Sequence, residues 1–320
     1  MIARRQGPDE PSSGPLLCLG ETLVDLICER PVAGWDEVDS FVPHLGGGPT
    51  NVAVVAARCG AAAAVAGGVG DDAWGRWLRE RLEREGINLR WFVLVPGEET
   101  VVAFAVIDEQ AVPDFLIYGR GIGAVAEALA DRIEDAVAAC GALYLTSNTL
   151  VGPRERALTL RARELALAAG KPVAVDANLR PARWTDLELA LGLVRSLCPE
   201  ARLVKLNVEE ARLLTGLDDP EAAADAVCAL GARLAVVTLG ANGALVRGEA
   251  SARAPAVAAR VVDTTGAGDA LGGVLLAALA TADWEPAAAA QALPAAVAAA
   301  ARSTEAFGAL EALPARIPLP

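Results

Sequence analysis

Histidine is almost absent from this chain: His44 is the only one among 320 residues. That count excludes chemistry needing two imidazoles and weakens any reading as a Ser-His-Asp triad or a histidine-based metal centre. Aromatic residues make up only 4% of the chain, so the core has to be aliphatic, much of it alanine. No C-x-x-C pair occurs among Cys18, Cys28, Cys59, Cys140, Cys198 and Cys228. Most lie in apolar runs, which reads as buried free thiols in a reducing cytosol. No dense Lys/Arg run is present, and 41 acidic against 28 basic residues leave a net charge of −13. A polyanion binder needs a basic footprint, so neither nucleic acid nor a membrane is expected as a partner. The longest apolar stretches are broken by Arg58, Gly or Pro, which argues against a transmembrane helix. No apolar segment follows Arg4 and Arg5 at once, so no signal peptide is read and a cytoplasmic location is expected.

Hydrophobic residues at 53% and charged residues at 22% place the chain among globular proteins, and its length is ample for a buried core. Residues 1–15, with Pro8, Pro11, Ser12, Ser13, Gly14 and Pro15, read as a disordered tail before a single catalytic unit over 16–320. Leu16–Leu19 predicts the first strand, Asn51–Cys59 a buried helix, Ala61–Ala66 a strand and Ala73–Glu85 a helix. From Ala126 onward, strands alternate with helices of 10–15 residues, the rhythm of βαβ units and a mostly parallel sheet covered on both faces. The segments near 24–44 and 98–118 are β-rich and break that rhythm, and they predict a small separate sheet projecting from the α/β body.

Three glycine-rich stretches compete as phosphate loops: Gly46-Gly47-Gly48-Pro49-Thr50-Asn51, Gly119-Arg120-Gly121-Ile122-Gly123-Ala124, and Gly266-Ala267-Gly268-Asp269. A helix N-terminus offers free N–H groups and a positive dipole end, so each could hold an anion, or be an ordinary turn. No G-x-x-x-x-G-K-S/T sequence exists, which excludes a P-loop enzyme. Gly121–Ala126 loosely matches a dinucleotide fingerprint, but the following strand ends at Thr146-Ser147-Asn148 without the acidic partner that an NAD-dependent oxidoreductase would want. The third stretch carries more chemistry, with carboxylates at both ends, Asp263 and Asp269. The N–H groups of Gly266, Ala267 and Gly268 could face charge developing on a phosphoryl group. Asp269 could accept the proton of an attacking hydroxyl, or be only a helix-start acid.

These residues resemble the ribokinase-like (PfkB) carbohydrate kinases, and most of all fructokinases. The resemblance is carried by Gly47-Gly48-Pro49-Thr50-Asn51-Val52-Ala53, by Gly70-Asp71-Asp72, and by Asp263-Thr264-Thr265-Gly266-Ala267-Gly268-Asp269. Between them lie Asp176-Ala177-Asn178-Leu179-Arg180, Asn207-Val208-Glu209-Glu210 and Thr238-Leu239-Gly240. It implies a three-layer α/β sandwich with a small β-sheet lid, ATP and Mg²⁺ as cofactors, and a small sugar as substrate, with dimerisation through the lid common in the family. By the same resemblance Asp269 matches the catalytic base, and Gly266, Ala267 and Gly268 match the anion hole. Asp25, Gly46, Gly47, Gly48 and Asn51 match sugar-hydroxyl binders, with Tyr118, Arg120 and Arg180 as further substrate contacts. Asn207 and Glu210 match the motif that organises Mg²⁺ through water. Lys205, Thr238, Gly240 and Gly243, with Gly266 and Gly268, fall on the nucleotide side. Asp263 and Thr265 resemble positions that hold a monovalent cation, K⁺, in some members. Gly119 is one residue more than the family's Tyr/Arg pair carries, and Ala306 stands where a basic residue is often found. Fructose leads as the sugar, followed by 2-keto-3-deoxygluconate, then ribose or a nucleoside.

Overall fold

The computed structural model describes residues 14–119 and 121–320. A sheet of nine strands forms its centre, in the order β13-β12-β11-β10-β9-β8-β1-β4-β5. These strands are β1 (Leu16–Leu19), β4 (Ala63–Gly70), β5 (Phe92–Val95), β8 (Ala142–Thr146), β9 (Val173–Asp176), β10 (Leu203–Asn207), β11 (Leu234–Thr238), β12 (Ala244–Gly248) and β13 (Ala252–Ala254). From β5 through β11 every pair is parallel, and β12 alone runs the other way, antiparallel to both β11 and β13. Parallel strands covered on both sides read as continuous apolar runs, and Leu16–Leu19 is buried throughout.

Alternation along each strand divides the core in two. Leu16 and Cys18 face a cluster built with α1 (Gly48–Arg58), α2 (Ala73–Arg84), α9 (Ala267–Thr281) and α10 (Pro286–Ser303). Leu17 and Leu19 face α3 (Gly121–Leu129), α4 (Ile133–Ala139), α5 (Pro153–Ala168), α6 (Leu187–Leu197), α7 (Val208–Thr215) and α8 (Pro220–Ala229). Three layers result, as expected. Alanine serves the close approach of α9 and α10: Ala277, Ala278, Ala289, Ala292 and Ala296 are buried in the first cluster, which the high alanine content makes possible.

The second sheet has the order β3-β2-β6-β7. It comprises β2 (Leu23–Pro31), β3 (Val42–Gly46), β6 (Val102–Ile107) and β7 (Pro113–Tyr118), which matches the small sheet foreseen near 24–44 and 98–118. Three readings are corrected. Residues 14 and 15 belong to the fold rather than to a tail, since Pro15 O accepts the N–H of Gly141 at 2.9 Å, while 1–13 lie outside the described residues. Gly121 and Gly123 lie in the first turn of α3, so from Gly121 on the second glycine stretch is helix rather than loop. The helix of 10–15 residues expected from Ala126 onward is interrupted by a 3₁₀ turn at Ala130–Arg132, yet Ala126, Leu129, Ile133, Ala136 and Val137 all keep their place in the core.

β1 pairs with β4 on one side and β8 on the other, so chain progression reverses there. In open α/β sheets ligands bind outside the carboxyl ends of the strands at this switch point. Gly20-Glu21 after β1, Ala177-Asn178 after β9, Asn207 at the end of β10 and Thr238 at the end of β11 all lie on that rim.

Candidate active site

The loop from Asp263 to Asp269 is built from its first residue. Asp263 is fully buried, and its carboxylate accepts the N–H of Thr265 at 2.8 Å and that of Gly308 at 2.9 Å. The chain then turns through Gly266 at φ +75°, a left-handed position packed against Ala309 where a side chain would be both strained and obstructed. α9 starts at once, and its first intrahelical bond runs from Ala270 N to Gly266 O at 2.8 Å. The N–H groups of the first turn precede any intrahelical partner. That of Ala267 turns back to Thr264 O at 3.3 Å, which leaves those of Gly266, Gly268 and Asp269 without a backbone acceptor and free to meet an anion.

Asp269 projects from this turn. Its Oδ2 accepts a hydrogen bond from Asn51 Nδ2 at 2.9 Å, joining residues 218 positions apart. Burial pushes the Asp269 carboxyl up to about 6, the Asn51 bond opposes this, Asp176 adds to it, and Lys205 and Arg180 pull it back. Asn51 comes from α1, which opens at Gly48 after the Gly46–Gly48 turn. Gly48 leaves space that a methyl group would fill: a Cβ there would stand 3.0 Å from Asn178 Nδ2, 3.6 Å from Asp269 Oδ1 and 3.9 Å from Glu21 Oε1. Donor and acceptor groups from four separate chain segments therefore converge on one small space. Gly46 abuts the Asp25 carboxylate in the same way. Burial raises Asp25 to about 7, with His44 opposing and Asp263, Asp269 and Glu311 adding to the rise.

Beneath the loop, Asp176 and Lys205 are register partners on β9 and β10. Lys205 Nζ donates to Asp176 Oδ2 at 2.7 Å, and Tyr144 OH donates to the same oxygen at 3.2 Å. The ammonium also lies 3.1 Å from where a Cβ of Gly268 would stand, so a positive charge sits directly under the first turn of α9. Burial works against the charge on Lys205, and Asp176 and Glu210 outweigh it, so its pKa is raised. Asn207 and Glu210 form a reciprocal cap on α7: Asn207 Oδ1 accepts Glu210 N and Glu210 Oε2 accepts Asn207 N, both at 2.8 Å. Glu210 Oε1 accepts Leu179 N at 2.8 Å, fixing the turn that carries Asn178 and Arg180. Burial, then Asp176, raises the Glu210 carboxyl against the opposing pull of Lys205. Thr238 is the register partner of Asn207 on the neighbouring strand, and Gly240 follows in a 3₁₀ turn. Gly243 serves the turn into β12, packed against the backbone of 254–256.

Arg180 is exposed at the rim, its Nη1 3.4 Å from Leu179 O. Tyr118 is placed otherwise than expected. Tyr118 pairs with Val102, and Val102 with Val24, so all three share one face of the lid while Asp25 points to the other. The Tyr118 ring instead packs edge-on against Phe104, with centroids 5.6 Å apart, and is 59% exposed. Arg120 lies outside the described residues. Glu21, Asn148 and Arg183 were missed by the sequence reading. Asn148 Nδ2 donates to Glu21 Oε1, and Arg183 Nη1 donates to Asn148 Oδ1, both at 3.3 Å. Glu21 stands in the Gly20-Glu21-Thr22 stretch after β1, so a polar residue at the end of the switch-point strand was the available signal.

A parallel sheet with a carboxylate at a helix N-terminus, over a buried lysine and beneath a small second sheet, is an arrangement suited to phosphoryl transfer to an alcohol. Residues 15–316 match the pfkB family carbohydrate kinases, and the chain belongs to that family. It is 32% identical to Fructokinase-1 of Oryza sativa subsp. japonica, over 82% of this chain and 81% of that protein. Among solved structures, a fructokinase from Vibrio cholerae O395 bound to fructose, ADP and calcium superposes with a TM-score of 0.78 at 28% identity, covering 95% of this chain and 97% of that one. The aminoimidazole riboside kinase of Salmonella enterica, complexed with aminoimidazole riboside and an ATP analogue, also gives 0.78, at 27% identity over 94% and 96%. This chain is therefore a carbohydrate kinase. Among the described residues no helix is long and apolar enough to cross a membrane.

Proposed function

We propose that this kinase transfers the γ-phosphoryl group of ATP to a hydroxymethyl oxygen of fructose. The carrying observation is the placement of Asp269, bonded to Asn51 at 2.9 Å at the start of α9 beside the space above Gly48. Asn178 and Glu21 border that space, and with Asp25 against the nearby Gly46 they supply hydrogen-bonding groups suited to a polyhydroxylated substrate. Asp269, ionised above about pH 6, takes the proton from the attacking hydroxyl, a step worth about 10²–10⁴ in rate. The N–H groups of Gly268 and Asp269, with the Lys205 ammonium beneath, face the transferring phosphoryl group and lower the cost of its developing charge. The lid excludes water from the reacting atoms.

The donor groups fit Mg²⁺ held at a distance. Each Glu210 oxygen and Asn207 Oδ1 already accepts a backbone N–H, leaving lone pairs for metal-bound waters rather than for an inner coordination shell. Bound there with nucleotide, the metal would neutralise phosphate charge. Thr265 Oγ1 is a buried oxygen without a partner beside the carboxylate of Asp263, which fits a weakly held monovalent cation. The open lid edges support dimerisation through β3 or β7, and the six free cysteines support a reducing cytoplasmic setting.

An ADP-release assay over ketoses, aldoses, 2-keto-3-deoxy acids and nucleosides tests this reading. Fructose should give the highest kcat/KM, and turnover of fructose no faster than background overturns it. A second reading, a 2-keto-3-deoxygluconate substrate, is favoured by the nearness of Arg180, whose charge acts on both Asp269 and Glu21. Arg180→Ala should raise the KM of a carboxylate substrate about tenfold or more, against a few-fold for a neutral sugar.

A further inference from the structure

His44 is unused by the chemistry above, yet it is the only histidine, is 4% exposed and stands on β3 as the register partner of Asp25. Its Nε2 lies 3.1 Å from Glu29 Oε1 and its Nδ1 3.0 Å from Glu311 Oε1. Carboxylates only accept, and a neutral imidazole has one N–H, so two such partners call for the doubly protonated ring. Glu29 lies on β2 in the lid. Glu311 lies on the C-terminal segment, where it also accepts Leu310 N at 3.0 Å. Three residues earlier, Gly308 donates to Asp263 at 2.9 Å and so holds the start of the catalytic loop. Gly308 is pressed against the imidazole: a Cβ there would come within 2.7 Å of Nδ1. The lid reaches the same loop a second time, because Ala111 O in the turn between β6 and β7 accepts both Thr264 N at 3.1 Å and Thr264 Oγ1 at 3.0 Å.

We propose that His44 is a positioning residue for the transfer: clamped as an imidazolium between Glu29 and Glu311, it ties the lid to the segment that holds the catalytic loop and thereby sets the place of Asp25 over the sugar. The charged groups around it are Asp25 and Glu29 from β2 and Glu311 from the C-terminal segment, with Arg81 of α2 beyond, 3.9 Å from Glu311. Burial pulls the imidazole down, and Glu311 and Glu29 outweigh it, so it is held above its ordinary value. The tie is therefore complete below about pH 6.5 and is lost as pH rises through the raised value. Sugar affinity should weaken on that alkaline side, a limb distinct from the acid-side ionisation of Asp269.

The test compares the full-length wild type with His44→Gln and Glu311→Gln, measuring kcat and both KM values from pH 5.5 to 9 with the best sugar of the panel. His44→Gln should raise the sugar KM about tenfold, leave the ATP KM within about twofold, and abolish the alkaline limb. Glu311→Gln keeps the ring but removes one carboxylate, so the limb should move to lower pH by about one unit. An unchanged sugar KM and alkaline limb in His44→Gln, or a uniform loss in all parameters, makes His44 a core histidine and overturns the proposal. If His44→Gln does not fold, Glu311→Gln decides alone: a limb that stays in place overturns it. The inference rests on Asp25 as a sugar contact, and Asp25→Asn separates the two. An unchanged sugar KM in Asp25→Asn removes that reading by itself. The tie is then read from melting temperatures, where the deficit of His44→Gln should shrink as pH rises above about 6.5; a deficit that does not change with pH overturns the tie as well.

Discussion

Replacing Asp269 with asparagine should make the protein more stable while nearly abolishing turnover. The folded state raises this carboxyl from 3.8 to about 6, burial being the main cause. A raised carboxylate means that the folded chain binds more protons than the unfolded one between those values, so its stability is lost as pH climbs through that window. Roughly two pK units correspond to about 3 kcal/mol at pH 7, and halving this for the partial exposure of the side chain leaves about 1.5 kcal/mol. Asparagine keeps an oxygen for the Asn51 amide and removes the charge, so the variant should escape most of that cost. With an unfolding entropy of about 2.1 cal/mol/K per residue, the gain amounts to about 2 °C in melting temperature. Differential scanning calorimetry at pH 7 and pH 4 should show the gap between variant and wild type closing at the lower pH, where Asp269 is protonated in the fold. In the same preparation kcat should fall by about 10²–10⁴. A melting temperature unchanged or lowered at pH 7, a gap independent of pH, or more than a tenth of wild-type turnover would each refute the reasoning.

Three further outcomes follow from the same geometry. In the wild type, kcat at saturating substrates should rise with pH through about 6 as Asp269 ionises, and a flat profile between pH 5 and 7 would remove it as the base. Lys205→Met strips the 2.7 Å partner from buried Asp176, which should cost about 3–5 kcal/mol in urea unfolding, and a loss under about 1 kcal/mol would show that the Tyr144 hydroxyl suffices for it. Gly273→Ala forces a Cβ to within 2.5 Å of Val55 Cβ where α9 crosses α1, so it should destabilise by about 1–3 kcal/mol with both KM values unchanged; altered KM values would mean that the packing strain reaches the loop.

The two loops that meet at Asn51 and Asp269 were legible because each is compact in sequence: glycines that allow a tight approach stand next to the side chain they position. The strand and helix rhythm was legible for a similar reason, being carried by local periodicity. What escaped depends on long-range register. Nothing near Tyr144, Asp176 or Lys205 announces that they meet, since that follows from β8, β9 and β10 lying side by side. The contact of Ala111 with Thr264 spans 153 positions and uses a backbone carbonyl, which leaves no residue-type signal at all. Tyr118 shows the opposite failure. Resemblance placed it near the substrate, but side chains alternate across a strand, so a single residue of register moves a ring to the other face. Gly119, the one residue added between Tyr118 and Arg120, was the local warning.

Several acidic residues stand at or near the candidate site. Asp25 feels the charges of Asp263 and Asp269, and Asp269 feels that of Asp176, with Lys205 and Arg180 as the opposing cations. Burial and mutual repulsion hold Asp25 and Asp269 close to neutrality in pH terms, at about 7 and about 6, rather than fully ionised at low pH. That suits a base, which must be able to take a proton and release it. It does not suit a polyphosphate, whose approach would raise both carboxyls further. An acidic site of this kind can accept ATP only where backbone N–H groups, a buried lysine and a metal-bound form of the nucleotide supply the missing positive charge. The first turn of α9, Lys205 beneath it and the Asn207–Glu210 cap beside it are the elements that the fold brings to that task.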